Sequence, residues 1–103
     1  MATKKLKALS IAEVRKKLPG LSGWTLSRGA LRREFRFENF VKALQFVDMV
    51  GAMAEEANHH PDIDIRYSRV KLALSTHDVG GISQKDFSLA KAINGKHAPR
   101  ESV

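Results

Sequence analysis

The sequence predicts an α+β domain, a four-stranded antiparallel sheet with about three helices packed on one face. Three observations carry that prediction. Leu31, Arg33, Phe35 and Phe37 alternate with Arg32, Glu34 and Arg36, and Val70, Leu72 and Leu74 repeat the same period near two. Ser10-Ile-Ala-Glu13 and Ser83-Gln-Lys-Asp86 have the form of helix-opening capping boxes. The order of elements is helix, two strands, long helix, two strands, helix, and this grouping disfavours a doubly wound parallel sheet. The uncovered face of the sheet would stay open or pair with another subunit.

The first helix should follow Ser10 and stop at Pro19-Gly20. Trp24–Arg28 and Leu31–Phe37, separated by Gly29-Ala30, read as a hairpin with one wet face. Asn39 is placed to cap the longest helix, which should run to about Ala57. Its apolar stripe is Phe40, Leu44, Val47, Gly51 and Ala54, widened by Val41, Val50 and Met53. Pro61 bars the preceding residue from helical geometry, so the helix must end before it. Ile63–Arg66 and Arg69–Ser75 supply two more strands, and Gly80-Gly81 breaks the chain. The last helix opens at Ser83, passes through Phe87, Leu89, Ala90 and Ile93, and should stop at Asn94-Gly95.

At 103 residues the chain has room for one core, so residues 1–103 are read as a single domain, with tails at about 1–8 and 96–103. With no cysteine there is neither a disulfide framework nor a thiolate metal site. No run approaches the roughly 18 apolar residues of a membrane span, and the basic start lacks a long apolar stretch and a cleavage site. A soluble cytoplasmic protein without membrane partners is the expectation. The formal charge of +7 admits nucleic-acid binding. Much of the excess, however, sits near the ends, on Lys4, Lys5, Lys7, Arg15, Lys16, Lys17, Lys91, Lys96 and Arg100, which favours solvated faces over a phosphate-binding patch.

Of the four histidines, His59-His60 follow the long helix and His77 follows a strand, whereas His97 falls in the expected polar tail. Histidine titrates near neutrality, so a cluster suits proton transfer or metal binding. Adjacent histidines diverge unless the backbone bends, and the His-Glu-x-x-His spacing of zinc proteases is absent, so no metal site is assigned. Serine nucleophile and phosphate-loop spacings are absent too. Acid–base chemistry on a small molecule and a histidine-capped turn remain as the two readings of these residues.

Glu55-Glu-Ala-Asn-His59-His60-Pro61, then Tyr67, then Ser75-Thr76-His77-Asp78, then Asp86 resembles the signature of the pterin-4a-carbinolamine dehydratases. The resemblance extends through Gly23-Trp24, Phe35-Arg-Phe37, the Phe40–Ala54 helix and Gly81-x-Ser-x-x-Asp86, and so covers nearly the whole chain. It implies the same α+β fold, assembly as homodimers or homotetramers, and loss of water from 4a-hydroxy-tetrahydrobiopterin to give quinonoid dihydrobiopterin. That reaction recycles the cofactor of aromatic amino-acid hydroxylases. The pterin is the substrate, and no cofactor is implied.

By the same resemblance His59 and His77 are the acid–base candidates and His60 helps hold the pterin. Glu55 and Thr76 would orient or contact these groups, while Pro61, Asp78 and Val79 shape the pocket. Trp24 is carried as a lining residue, with ordinary core packing as its competing role. Asp86 is carried as site-adjacent, since a helix cap is a sufficient reason for an acid there. Two departures stand out: Asn58 replaces the Asp of many relatives and removes a negative charge beside His59, and Ile63 replaces the Trp of some. Certain animal members of the family also act as dimerisation cofactors for a homeodomain transcription factor. A non-catalytic binding module is therefore the alternative, disfavoured because all three histidines are in place.

Overall fold

The computed structural model describes residues 6–101, with side chains described as far as His97. The order is α1 (Ile11–Lys17), a 3-10 turn at Leu18–Gly20, β1 (Thr25–Ser27), β2 (Ala30–Arg36), α2 (Phe40–Ala57), β3 (Asp62–Arg66), β4 (Arg69–Leu74), a 3-10 turn at His77–Val79, and α3 (Gln84–Glu101). The four strands form one antiparallel sheet in the order β1-β2-β4-β3. The predicted α+β class is the one observed.

Both capping signals are realised. Ser10 Oγ accepts from the Glu13 amide at 3.1 Å, and Glu13 accepts from the Ser10 amide at 2.8 Å. The Ser10 amide first, and the Ser10 hydroxyl second, hold the Glu13 carboxyl below its usual range. The β1–β2 turn is Arg28-Gly29, both at positive φ (49° and 76°), which is the hairpin geometry that matches strand twist. The break therefore falls one residue earlier than Gly29-Ala30, and Ala30 begins β2.

Direct cross-strand pairs share a face, so Leu31–Leu74, Arg33–Leu72 and Phe35–Val70 project to one side of the sheet. There Leu31, Phe35, Val70, Leu72 and Leu74 are buried under α2 and α3. Phe35 packs on Phe46 with ring centroids 4.6 Å apart. On the other side Arg32, Ala73 and Asp62 form one row and Glu34, Lys71 and Asp64 the next, so that face is polar. Edge strand β3 is exposed throughout, including Ile63 and Ile65.

Three expectations need correction. Of the expected stripe of α2, Val50 and Ala54 face the core, joined there by Ala43 and Phe46, whereas Phe40, Val41 and Leu44 are 44%, 59% and 41% exposed. The helix carries two apolar strips, and periodicity does not say which one meets its own sheet; the small Ala43 and Ala54 let the observed one lie close. The last helix does not stop at Asn94-Gly95 but continues to Glu101. The Asn94 side chain is engaged in tertiary bonds: its Oδ1 accepts from Trp24 Nε1 at 2.8 Å and from Arg33 at 2.7 Å, and its Nδ2 donates to the Ser22 carbonyl at 2.9 Å. His97, expected in a polar tail, stands edge-on to Phe35, Phe37 and Phe46 at 5.0, 5.7 and 5.6 Å. Thus Lys96 and His97 are helical, while residues 1–5, 102 and 103 of the expected tails lie outside the described residues. Among the described residues no helix is long and apolar enough to cross a membrane.

Candidate functional site

The end of α2 sets the first part of the site. Asn58 adopts left-handed geometry (φ 52°, ψ 44°). Its amide donates to the Glu55 carbonyl at 3.1 Å, and the His59 amide donates to the Ala54 carbonyl at 3.0 Å. These two bonds make a Schellman motif, which satisfies the last carbonyls and folds the chain back beneath the helix. Asparagine tolerates that geometry better than most residues. His59 is thereby delivered inward and is only 9% exposed.

The strand register supplies the second part. β3 begins with Asp62 opposite Ala73, and the same count carried back sets His59 level with Thr76. After β4 the chain closes a short loop: the Thr76 amide donates to the Gly81 carbonyl at 2.7 Å, and Gly80 at φ 67° ends the His77–Val79 turn. The loop returns the backbone to Ser83, which opens α3 and brings Asp86 to His59.

The result is a buried polar cluster. His59 Nε2 lies 2.5 Å from Asp86 Oδ1. Asp86 Oδ2 accepts from Thr76 Oγ1 at 2.8 Å and from the Ser83 amide at 2.9 Å. Thr76 Oγ1 is also 2.7 Å from Ser83 Oγ, which accepts from the Lys85 amide at 3.2 Å. Asp86 and Ser83 are fully buried and Thr76 is nearly so. Every buried polar group here has a partner, as low-dielectric surroundings require.

His60 and His77, the chain neighbours of His59 and Thr76, are exposed. His60 Nε2 contacts Glu55 Oε2, a pairing of two exposed side chains that holds the ring loosely. His77 starts the 3-10 turn next to Thr76, followed by exposed Asp78 and half-buried Val79. Pro61, half-buried, leads from the histidines into β3. An apolar groove of about 560 Å³ between α2 and α3 has His59 on its wall with Met53, Ala57, Leu89 and Ala92, but its lining includes neither His60 nor His77.

Trp24 is not gathered with these residues. It is 5% exposed, meets Phe35 edge-on at 6.1 Å and bonds Asn94. Asn94 lies eight residues beyond Asp86, about 12 Å along α3 at 1.5 Å per residue. Of its two readings, core packing is the one its surroundings match. Ser83 was seen in the sequence only as a cap; that Asp86 carries a second carboxylate oxygen needing partners was the signal for it. Among the described residues no group of three or more His, Cys, Asp or Glu side chains is arranged to hold a metal ion.

Known proteins share this architecture. Residues 7–96 match the family described as pterin 4 alpha carbinolamine dehydratase. A relative from Chloroflexus aurantiacus, provisionally named as such a dehydratase, is 52% identical over 86 residues, covering 84% of this chain and 92% of its own length. One from Sulfolobus acidocaldarius, named in the same way, is 43% identical over 82 residues, covering 80% and 90%. A solved structure from Brucella melitensis, described as a transcriptional coactivator/pterin dehydratase, superposes with TM-score 0.82 at 31% identity, covering 86% of this chain and 97% of that one. A pterin dehydratase-like RuBisCO assembly factor of the alpha-carboxysome shares the fold alone, with TM-score 0.57 at 20% identity over 70% of this chain and 83% of that one.

Proposed function

The chain belongs to the pterin 4 alpha carbinolamine dehydratase family, and on that premise we propose that it dehydrates 4a-hydroxy-tetrahydrobiopterin to quinonoid dihydrobiopterin. The observation that supports this most is the buried pairing of His59 with Asp86, with His60 and His77 exposed and next to His59 and Thr76 in the chain.

Hydroxide is a poor leaving group, so one group must protonate the 4a-oxygen as the C–O bond breaks. Another must take the ring-nitrogen proton as the C=N bond forms. Water then leaves, and the protons balance. His59 and His77 fill these two roles, each worth about 10²–10⁴-fold. His60, steadied by Glu55, holds the pterin, and Pro61, Asp78 and Val79 border it. Thr76 and Asp86 touch no substrate in this scheme; they hold His59. No cofactor is needed, the protein acts in the cytoplasm, and its assemblies are homodimers or homotetramers.

The alternative is a non-catalytic dimerisation cofactor for a transcription factor. One observation favours it: Phe40, Val41 and Leu44 form an exposed apolar strip on α2. A coupled assay separates the two. Phenylalanine hydroxylase generates the 4a-hydroxypterin, and its dehydration is followed optically with and without the protein near neutral pH. Acceleration lost in His59→Ala and His77→Ala supports the dehydratase; no acceleration by folded protein supports the binding module.

A further inference from the structure

A proton count through the buried cluster gives His59 a direction. Thr76 Oγ1 has one proton and two oxygen partners, Ser83 Oγ at 2.7 Å and Asp86 Oδ2 at 2.8 Å. A carboxylate can only accept, so the Thr76 proton goes to Asp86. Ser83 must then donate to Thr76, while the Ser83 oxygen takes the Lys85 amide proton at 3.2 Å. The relay runs one way: Lys85 N–H to Ser83, Ser83 to Thr76, Thr76 to Asp86. With Oδ2 taken by Thr76 and the Ser83 amide, Oδ1 is the oxygen left for His59, and Nε2 must be its donor.

We propose that the Asp86 carboxylate, held in place by Thr76 and Ser83, fixes His59 as the Nε2–H tautomer and leaves Nδ1 as the atom that exchanges protons with substrate, with Ser83 as a positioning residue behind it. The reacting-atom part rests on the dehydratase reading above. Ser83 does not touch the pterin; it acts at two removes, and its full burial keeps water from substituting for it. A wrong tautomer offers substrate an N–H where a lone pair is needed, which is why carboxylates behind histidines matter out of proportion to their bond energy.

The test uses full-length protein labelled with ¹⁵N-histidine, at a pH where the His59 ring is neutral. The expected spectrum has a protonated Nε2 and an unprotonated Nδ1 in the wild type. Ser83→Ala keeps the backbone donor to Asp86 but removes the relay hydroxyl. It should leave Nε2 protonated, because Asp86 still accepts, but loosen the carboxylate and lower kcat about fivefold, the worth of one buried hydrogen bond, with KM within about twofold. Thr76→Val should do the same, and Thr76→Ser should restore the rate. Asp86→Asn, whose amide can donate to Nε2, should admit the other tautomer. A wild-type His59 protonated at Nδ1 overturns the proposal, as do Asp86→Asn protein that keeps the wild-type ring signals and Ser83→Ala and Thr76→Val variants with unchanged kcat. Wild-type protein that does not dehydrate the pterin sinks the functional reading and the reacting-atom assignment with it. The ring signals then still decide the tautomer and the hold of Asp86 on it.

Discussion

Asp86 Oδ1 and His59 Nε2 lie 2.5 Å apart although 27 residues separate them in the chain. Each is buried, so neither can fall back on water if its partner is lost. The pair ties the end of α2 to the first turn of α3 and links the stability of the fold to the placement of the histidines.

Replacing Asp86 by Asn retains the shape but turns one of the two acceptor oxygens, which together serve three donors, into a donor. The expected cost is about 2 kcal/mol, read as a lower urea midpoint with an unchanged slope. A midpoint equal to that of the wild type would mean the buried pair adds nothing to stability.

His59→Ala and His77→Ala are expected to lower dehydration by at least about 10²-fold in folded protein. His97→Ala should leave turnover in place. Because its ring packs against three phenylalanines, that variant should lose about 1–2 kcal/mol of stability instead. Should the folded His97 variant be the one without activity, the site assignment is wrong.

Asn94→Ala strips an acceptor from the Trp24 indole and from Arg33, and a donor from the Ser22 carbonyl. A loss of about 2–3 kcal/mol is expected from chemical denaturation, with a red shift of the single tryptophan's fluorescence as water reaches it. An unshifted spectrum together with unchanged stability would refute the role given to Asn94.

At Asn58 the left-handed backbone sets the ranking. Asn58→Gly should stay within about 0.5 kcal/mol of the wild type, while Asn58→Val should cost about 1–2 kcal/mol because a β-branched side chain resists that geometry. Since the His59 amide bond is part of the same motif, the Val variant should also lose activity. Equal stability of the two variants would argue against the Schellman geometry.

Glu13 provides the acid-side test. Its carboxyl is held below the ordinary range by the Ser10 amide first and the Ser10 hydroxyl second. Its contribution is therefore present above the unfolded-state pKa and is lost as pH falls through the depressed folded value. The stability gap between wild type and Glu13→Gln should shrink on acidification through that range. A gap that widens would reverse the sign assigned here.

Local chemistry determined much of this protein from sequence alone. Ser10 with Glu13, Ser83 with Asp86, Asn39 as a cap and the period-two strands are rules of neighbouring residues, and each appears where the sequence places it. The same rules missed what depends on distant partners. Asn94-Gly95 has the composition of a helix stop, yet Trp24, Arg33 and Ser22 occupy the Asn94 side chain from some 60 to 70 residues away. Phe40, Val41 and Leu44 look as apolar as Ala43 and Phe46, and the lie of the sheet selects between them. His59, His60 and His77 could be named together as candidates, but their burial could not be ordered. His59 alone of the three is buried because the Schellman turn and the return of α3 bring a carboxylate to it, and a buried imidazole needs that partner. Spacing along a chain determines which residues share a local turn; which buried polar groups must satisfy one another is decided only when the helices close on the sheet.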